Sequence, residues 1–401
     1  MLEFDEAQSR LTEAAPFPTR AETVPLVQAA GRVLAVDLAA TVDLPPADNS
    51  AMDGYAIRHA DYRPDTAMPI QQRSYAGEQP QPLVAGQATR LFTGSLIPQG
   101  ADTVVMQEDT READGMVEIT SAPQAGQHVR KQGEDVRSGT PLLPAGTLLQ
   151  AAHVALLASQ GLDKIEVYPR LRVGILTTGD ELAVPGQVRA AGHVYNSNGP
   201  MLAALAQGLG ADVVQVRHAR DDAADLQAAL RALQADCDLI VSVGGVSVGD
   251  HDLVKPAIES LGGELALWKV RMKPGKPVAM ARLGGKPIVC LPGNPVSAYS
   301  VFAVLVSPMI RRMQGRSRIY PPVMRAALRT EKTRQDSREE FIRVQYHPLV
   351  DGLADVAPYS NQSSGVISSL PWCDGLARLP AGVPVHDGDI VSYYDLKHWL
   401  S

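Results

Sequence analysis

The sequence predicts a multidomain α/β and β protein: a three-layer α/β domain with a mostly parallel sheet, an inserted β-rich domain on a helical platform, and a small C-terminal β-barrel domain. Three patterns predict this fold. Apolar runs alternate with helical periods from residue 171 to about 313, and short β-type runs rich in Pro and Gly occupy residues 45–140. From about residue 319, short alternating strands are separated by regularly spaced turns, which is typical of a small barrel.

These patterns divide the chain into four predicted domains, as expected for 401 residues, which is too long for one ordinary core. The ranges are 1–43 plus 139–169 for the platform, 44–138 for the β-rich insertion, 170–317 for the α/β domain and 318–401 for the barrel.

The first segment, residues 1–42, is predicted to be mostly helical, because FDEAQSRLTEA has apolar residues at helical spacing. The stretch QAAHVALLASQGL (150–162) is a second helix, with Gly161 just past its end. Because helical segments flank the β-rich stretch on both sides, we expect that stretch to be an insertion into a helical platform.

The α/β segment contains strands such as LRVGILTT, ADVVQVR and DLIVSVGG, each followed by a helical pattern. Such strands, apolar along their whole length, are typical of a parallel sheet that is covered on both faces. Ligands of such sheets bind outside the carboxyl ends of the strands. The residues that follow each strand are therefore the candidate site.

Composition narrows the functional classes. A net charge of −7 argues against a nucleic-acid binder. Three widely spaced cysteines, Cys237, Cys290 and Cys373, favour neither a disulfide framework nor a cysteine zinc site, so a reducing cytoplasm is expected. The N-terminus is unlike a signal peptide, and no apolar stretch is long enough for a membrane span.

Carboxylates follow three consecutive strands of the predicted sheet. Glu181 belongs to TTGDEL, Asp221 to RDD and Asp252 to GGVSVGDHD. Acids gathered at one edge repel each other unless a cation compensates them, and Mg²⁺ is the usual partner of carboxylate oxygens. Each motif alone also fits an ordinary turn or the acidic first turn of a helix.

A cationic stretch, WKVRMKPGK, follows the next strand. On a strand, Lys269, Arg271 and Lys273 would point to one face. LPGNP then opens a long helix near residue 295, whose first amides are free to bind an anion. Together with the acids, this predicts phosphate-anhydride chemistry, whereas a solvated lysine edge is the ordinary alternative.

Two further features concern loops. In GGVSVGDHD, Gly245 lets the backbone approach a ligand and Ser247 can donate a hydrogen bond. In the first half, DNSAMDG holds Asp53 in a loop rich in turn-forming residues, and two more loops carry Thr93 and Asp135. These are either connecting loops or residues that complete a site, in trans if the inserted domain reaches another subunit.

The chain resembles the molybdopterin molybdenumtransferases, the MoeA/gephyrin-type family. The resemblance rests on DNSAMDGYA, TGDEL, YNSN, GGVSVGDHD, KPGKP and LPGNPVSA, in that order, and spans essentially the whole chain. It implies a homodimer whose site is shared between subunits. It also implies insertion of molybdate into adenylylated molybdopterin, with hydrolysis of the pyrophosphate linkage, release of AMP and a requirement for Mg²⁺.

The resemblance also assigns residues by motif. Asp53, Thr93, Asp135, Glu181, Asp221 and Asp252 would be catalytic, with Glu181 and Asp221 as metal ligands. Substrate would be bound by a second set: Gly245, Ser247, Lys269, Lys273, Lys276, Pro292, Pro295, Arg343 and Ser364. One departure from the family is that its Q-G-S-H run reads QSSG at 362–365, without the histidine.

Other proteins are implied on either side of this reaction. A molybdopterin adenylyltransferase would supply the substrate, since no second α/β domain of that kind is fused here, and molybdoenzymes or their chaperones would accept the product. Two other functions stay open. One is a molybdopterin adenylyltransferase or nucleotide pyrophosphatase on a related α/β domain, and the other is a non-catalytic pterin carrier or scaffold.

Overall fold

The computed structural model describes residues 1–245, 253–348 and 354–401. The chain forms two compact units. The first consists of Met1–Ala35, Ala145–Gln150 and Ile165–Ser401, and the second of Val36–Pro144 and Ala151–Lys164. The boundaries of the four domains stay a prediction. Among the described helices, none has the length and apolar character that crossing a membrane requires.

The first unit is built on a central six-stranded sheet. Its strands, in spatial order, are Asp212–Ala219, Arg172–Thr178, Leu239–Val243, Lys286–Leu291, Ala279–Leu283 and Glu264–Trp268. The first four run parallel, and the last two are each antiparallel to the preceding neighbour. Two reversals restore the original direction, so Glu264–Trp268 ends at the same edge as the parallel strands.

Helices cover both faces of this sheet, which confirms the three-layer prediction. They are Asn198–Gly208, Ala223–Asp236, Val254–Ser260 and one continuous helical segment made of Pro295–Val301, a π-helical turn Phe302–Val306 and Ser307–Met313. Alternate strand residues enter two separate hydrophobic clusters, because side chains point to opposite faces. Ile175 packs with Leu202 and Phe302 on one face, whereas Ile240 packs with Leu230 on the other.

The N-terminal helix is shorter than the sequence pattern predicts. Only Phe4–Ala14 is α-helical, and it packs Phe4 and Leu11 into the first cluster of the central sheet. The expectation of a mostly helical 1–42 is wrong beyond this point, since Pro16, Pro18 and Pro25 each lack the N–H that a helix interior needs. A strand (Glu22–Pro25) and a 3₁₀ turn (Leu26–Gln28) follow instead.

The C-terminal strands close into a five-stranded barrel, as predicted. In spatial order they are Glu339–His347, Asp355–Pro358, Met324–Leu328, Ile390–Asp395 and Gly375–Leu379, and the last pairs with the first. Short helices span Ser369–Trp372 and Leu396–Trp399. A short strand from the α/β part, Met272–Lys273, adds in parallel to Glu339–Glu340 of the barrel. The cationic stretch is therefore attached directly to the barrel.

The second unit holds another six-stranded sheet. Its strands, in spatial order, are Thr103–Met106, Gly54–Ile57, Ala88–Leu91, Met68–Ser74, Met116–Ile119 and Thr110–Ala113. This sheet confirms the prediction of a β-rich insertion.

The remaining described elements are short. They are the helix Ala151–Ser159, 3₁₀ turns at His59–Asp61 and Gln107–Asp109, and the strands Leu38–Ala39, Asn49–Ser50, Val129–Arg130, Pro141–Leu143, Lys164–Val167, Leu182–Ala183 and Val194–Tyr195.

Candidate functional site

The main cavity of the first unit has a volume of about 880 Å³ and lies where the carboxyl ends of the central strands meet loops of the barrel. Six residues predicted from the sequence line this one space: Glu181, Lys273, Lys276, Pro292, Pro295 and Ser364. The structure therefore brings together an acid, two lysines and a helix start from motifs far apart in the chain, as the sheet-edge argument requires.

Asparagine side chains fix the walls of this cavity. Asn198 Nδ2 donates to the Gly293 carbonyl at 2.7 Å, which ties one helix start to the LPGNP turn. Asn294 Nδ2 donates to Ser364 Oγ at 3.1 Å and so ties the long helix to the barrel loop. Neither asparagine was predicted from the sequence to belong to the site, although they lie in the motifs YNSN and LPGNP.

At the acidic edge, Asp221 is oriented by two neighbours. Thr178 Oγ1 donates to its carboxylate at 2.6 Å, and the backbone amide of Asp180 donates to it at 3.3 Å. The backbone amide of Asp221 in turn donates to Asp180 at 3.2 Å. Asp222 next door accepts from the Asp225 amide at the start of a helix, so that acid is an ordinary cap.

Glu181 follows Asp180 directly in the chain and lines the main cavity, whose lining does not include Asp221. The Glu181 carboxylate folds over Gly179, where an added Cβ would be 2.5 Å from Oε2. Among the residues that the structure describes, no group of three His, Cys, Asp or Glu side chains forms a metal site. Glu181 and Asp221 nevertheless offer oxygen donors at neighbouring strand ends, the chemistry that a hard cation such as Mg²⁺ uses.

The GGVSVGDHD motif is described only as far as Gly245, so Ser247 and Asp252 lie outside the described residues. Gly245 has φ +62°, and an added Cβ would lie 2.7 Å from Val254 Cγ2. Only glycine fits between the strand and the following helix here, because a side chain would be both strained and overpacked.

The cationic stretch is not one continuous strand, because residues 269–271 separate Trp268 from the short strand Met272–Lys273, so the prediction that Lys269, Arg271 and Lys273 share a face is wrong. The strand ends at Trp268, and Lys269 has φ +67°, which turns the chain. Lys269 is absent from the main cavity lining. Arg271 binds Glu3 at 3.1 Å instead.

Lys273 does reach the cavity, with two carboxylates as partners. Its Nζ lies 2.9 Å from Asp336 and 3.1 Å from Glu340. Burial lowers the pKa of Lys273, but the hydrogen bonds to these two carboxylates outweigh it, so the pKa is raised from its ordinary value. Lys273 is a cation at neutral pH.

Arg343 lies beneath the cavity rather than in it. Its side chain is fully buried, and its guanidinium donates to the carbonyls of Asn361 at 2.9 Å, Gln362 at 3.3 Å and Ser363 at 3.2 Å. Burial lowers its pKa. Arg343 is absent from the main cavity lining, and its bonds support the loop that carries Ser364, so a contact of Arg343 with the substrate stays a prediction.

In the second unit, the predicted pair Asp53 and Thr93 is in direct contact. The Asp53 carboxylate accepts from the Thr93 amide at 2.7 Å and from its hydroxyl at 2.8 Å. The backbone bond and then the hydroxyl bond hold the pKa of Asp53 below its usual range, so it is an ionised acceptor at neutral pH. Asp135 lines another cavity of the same unit, of about 520 Å³.

The three cysteines are all free thiols. Burial raises the pKa of Cys290 to about 12 and that of Cys373 to about 11, and it also raises the pKa of Cys237. These groups are protonated at neutral pH.

Family comparisons cover nearly the whole chain. Residues 2–161 match the MoeA N-terminal region (domain I and II), residues 174–312 match a probable molybdopterin binding domain, and residues 325–396 match the MoeA C-terminal region (domain IV).

Individual proteins agree with these matches. A protein of Haemophilus influenzae named molybdopterin molybdenumtransferase is 36% identical over 373 residues, which cover 92% of each chain. One of Mycobacterium tuberculosis named molybdopterin molybdenumtransferase 2 is 38% identical and covers 93% of this chain and 95% of its own. The crystal structure of a molybdopterin biosynthesis MoeA protein from Pyrococcus horikoshii superposes with a TM-score of 0.82 at 29% identity over the full length of both chains.

Proposed function

The chain belongs to the MoeA family of molybdopterin molybdenumtransferases, and on this premise we propose that it inserts molybdate into adenylylated molybdopterin with hydrolysis of the pyrophosphate linkage and release of AMP. Its place is molybdenum cofactor biosynthesis, and it is a transferase. The observation that carries the finer proposal is the main cavity, where Glu181, Lys273 and Lys276 lie around one space.

Each side of the cavity has a distinct task. Lys273 and Lys276 would hold the phosphate or the oxyanion and neutralise the charge that develops on it. The backbone amides of Val296 and Ser297, which follow Pro295 in the first helical turn, have no partner within the helix and favour an anion. Pro292 and Pro295 would shape the pterin pocket with little conformational freedom of their own.

A divalent cation fits the acidic edge. Glu181 and Asp221 would hold Mg²⁺, and Asp252 would orient water or join them. When bound, the cation supplies charge neutralisation on phosphate oxygens. The chain's own contribution is orientation, because Thr178 fixes the Asp221 carboxylate by a bond of 2.6 Å.

Replacing Thr178 by valine tests this orientation. The hydroxyl bond to Asp221 is lost while the shape is kept, so the Mg²⁺ concentration for half-maximal activity should rise roughly tenfold. Thr178→Ser retains the hydroxyl and should restore the original Mg²⁺ requirement. If Thr178→Val leaves the Mg²⁺ requirement unchanged, Asp221 is not a ligand of the cation.

The reaction itself is tested with purified protein, adenylylated molybdopterin, molybdate and Mg²⁺. AMP should be released, and molybdenum should be recovered in the pterin fraction. If a folded protein binds the pterin nucleotide but releases no AMP, the proposal fails. AMP-pterin formed from ATP and free molybdopterin would instead identify an adenylyltransferase, and binding without any turnover would identify a carrier.

We also propose that the protein is a cytoplasmic homodimer in which Asp53, Thr93 and Asp135 of one subunit complete the site of the other. The three free thiols support a reducing compartment. An upstream molybdopterin adenylyltransferase would supply the substrate, and molybdoenzymes or their chaperones would accept the product. Mixing Asp53→Asn with Lys276→Met protein tests the shared site: activity should return, because one site of each mixed dimer has both residues.

A further inference from the structure

A row of alternating charges runs along the boundary between the α/β part and the barrel. Asp336 binds Arg338 at 3.4 Å and Lys273 at 2.9 Å, and Glu340 binds Lys273 at 3.1 Å and Arg334 at 3.5 Å. We call these five residues the charge row. Lys273 is its centre, with one carboxylate on either side.

Lys273 lies in a wall shared by two cavities. It lines the main cavity together with Arg338, and it lines a barrel cavity of about 680 Å³ together with Arg334 and Glu340. The Lys273 side chain is 38% exposed, whereas that of Glu340 is only 8% exposed. The ammonium is therefore accessible to an anion, while one of its two acidic partners is held inside.

The two carboxylates beside Lys273 together have two opposing effects, one on turnover and one on the binding of a phosphate. They restrict a long, flexible side chain to one position, which favours turnover when the reacting group must be placed accurately. They also neutralise its charge and repel an incoming anion, which weakens binding. The net effect is a lysine that is well placed but binds anions less tightly than it could.

We propose that Asp336 and Glu340 are positioning residues that hold Lys273 for catalysis and limit the affinity of the main cavity for phosphate or oxyanion groups. This inference rests on the proposed function of Lys273. Neither acid belongs to a motif that carries the family resemblance. Both act through Lys273, since the described contacts of their carboxylates are with cations and backbone of the charge row.

A purely structural role is the competing explanation, in which the ion pairs only fasten the barrel. Backbone pairing of Met272–Lys273 with Glu339–Glu340 already provides such an attachment. A fastening role would change thermal stability without changing anion affinity in the folded protein, whereas a positioning role changes affinity and turnover in opposite directions.

The experiment uses the full chain and AMP as the probe. In Asp336→Asn and in Glu340→Gln, the dissociation constant for AMP measured by titration calorimetry should fall about fivefold, as expected when one opposing charge beside a half-exposed lysine is removed. The kcat should fall about tenfold, because Lys273 is less well fixed. Asp336→Glu keeps the charge and should restore the original AMP affinity.

A matched control comes from the same barrel. Asp355 pairs with Arg329 at 3.0 Å, and neither residue is paired with a member of the charge row in the ion pairs described. Asp355→Asn removes a comparable ion pair and should leave AMP affinity and kcat unchanged. If it shifts AMP affinity as Asp336→Asn does, the effect is general electrostatics and the proposal is overturned.

Lys273→Met separates this inference from the proposed function. AMP binding should weaken in Lys273→Met, and adding Asp336→Asn to it should have no further effect. If Lys273→Met leaves AMP binding unchanged, Lys273 is not an anion ligand and the proposed function loses its support there. If Lys273→Met weakens binding but Asp336→Asn and Glu340→Gln do not strengthen it, only the positioning inference fails.

Discussion

Replacing Asp53 by asparagine is expected to reduce AMP release at least ~100-fold, the lower end of what a positioned acid–base side chain contributes to a reaction. Asparagine keeps the shape and can still accept from the amide and hydroxyl of Thr93, which lie 2.7 and 2.8 Å from the carboxylate. What is lost is the negative charge. Because Thr93 lowers the pKa of Asp53, that charge is present at neutral pH in the wild-type protein.

Steady-state AMP release at saturating molybdate measures the effect, and circular dichroism checks the fold. Asp61→Asn is the control, since Asp61 is another carboxylate of the same unit that is held by Arg58 and by the Gly86 amide. It should leave AMP release unchanged. If Asp53→Asn keeps full activity, Asp53 has no catalytic role and the DNSAMDG loop only connects strands.

Replacing Arg343 by alanine should give the largest loss of stability among the site residues, about 3 kcal/mol. Three carbonyls of residues 361–363 lose their donor, and a large buried side chain leaves a cavity behind. The temperature of unfolding should fall by roughly 5–10 °C. Because the same loop carries Ser364, KM should rise as well.

Differential scanning calorimetry measures the loss of stability and the temperature of unfolding, and steady-state kinetics measures KM. Arg325 is a suitable control, because it is exposed on a strand of the same barrel. Arg325→Ala should change stability by less than about 0.5 kcal/mol. Equal effects of the two substitutions would mean that the buried bonds of Arg343 contribute nothing specific.

Much of the α/β part could be predicted because each of its strands is a short apolar run with a polar end. That pattern specifies both the buried faces and the residues left at the sheet edge, so Glu181, Lys273 and Pro295 could be expected near one another. The direction of the last two strands could not be predicted, since pairing between Ala279–Leu283 and Lys286–Leu291 depends on contacts across the whole sheet.

The partners of individual side chains could not be predicted from the sequence, because they also depend on contacts between distant segments. Asp336 and Glu340 bind Lys273 from more than sixty residues away, and no local period indicates such a pair. Arg343 illustrates a second limit, because the family resemblance assigns a functional arginine to this position without saying whether it faces substrate or supports a loop. The helical prediction for residues 15–42 failed because apolar spacing was given more weight than three prolines.

The protonation state of the three cysteines determines whether the chain itself could bind molybdenum during its transfer. With pKa values of about 12 and 11, the thiols of Cys290 and Cys373 remain protonated, and burial also suppresses ionisation of Cys237. The thiolate, rather than the thiol, is the form of cysteine that binds a metal. In the reaction proposed above, the cysteines of the chain would therefore not compete with molybdopterin for the molybdenum.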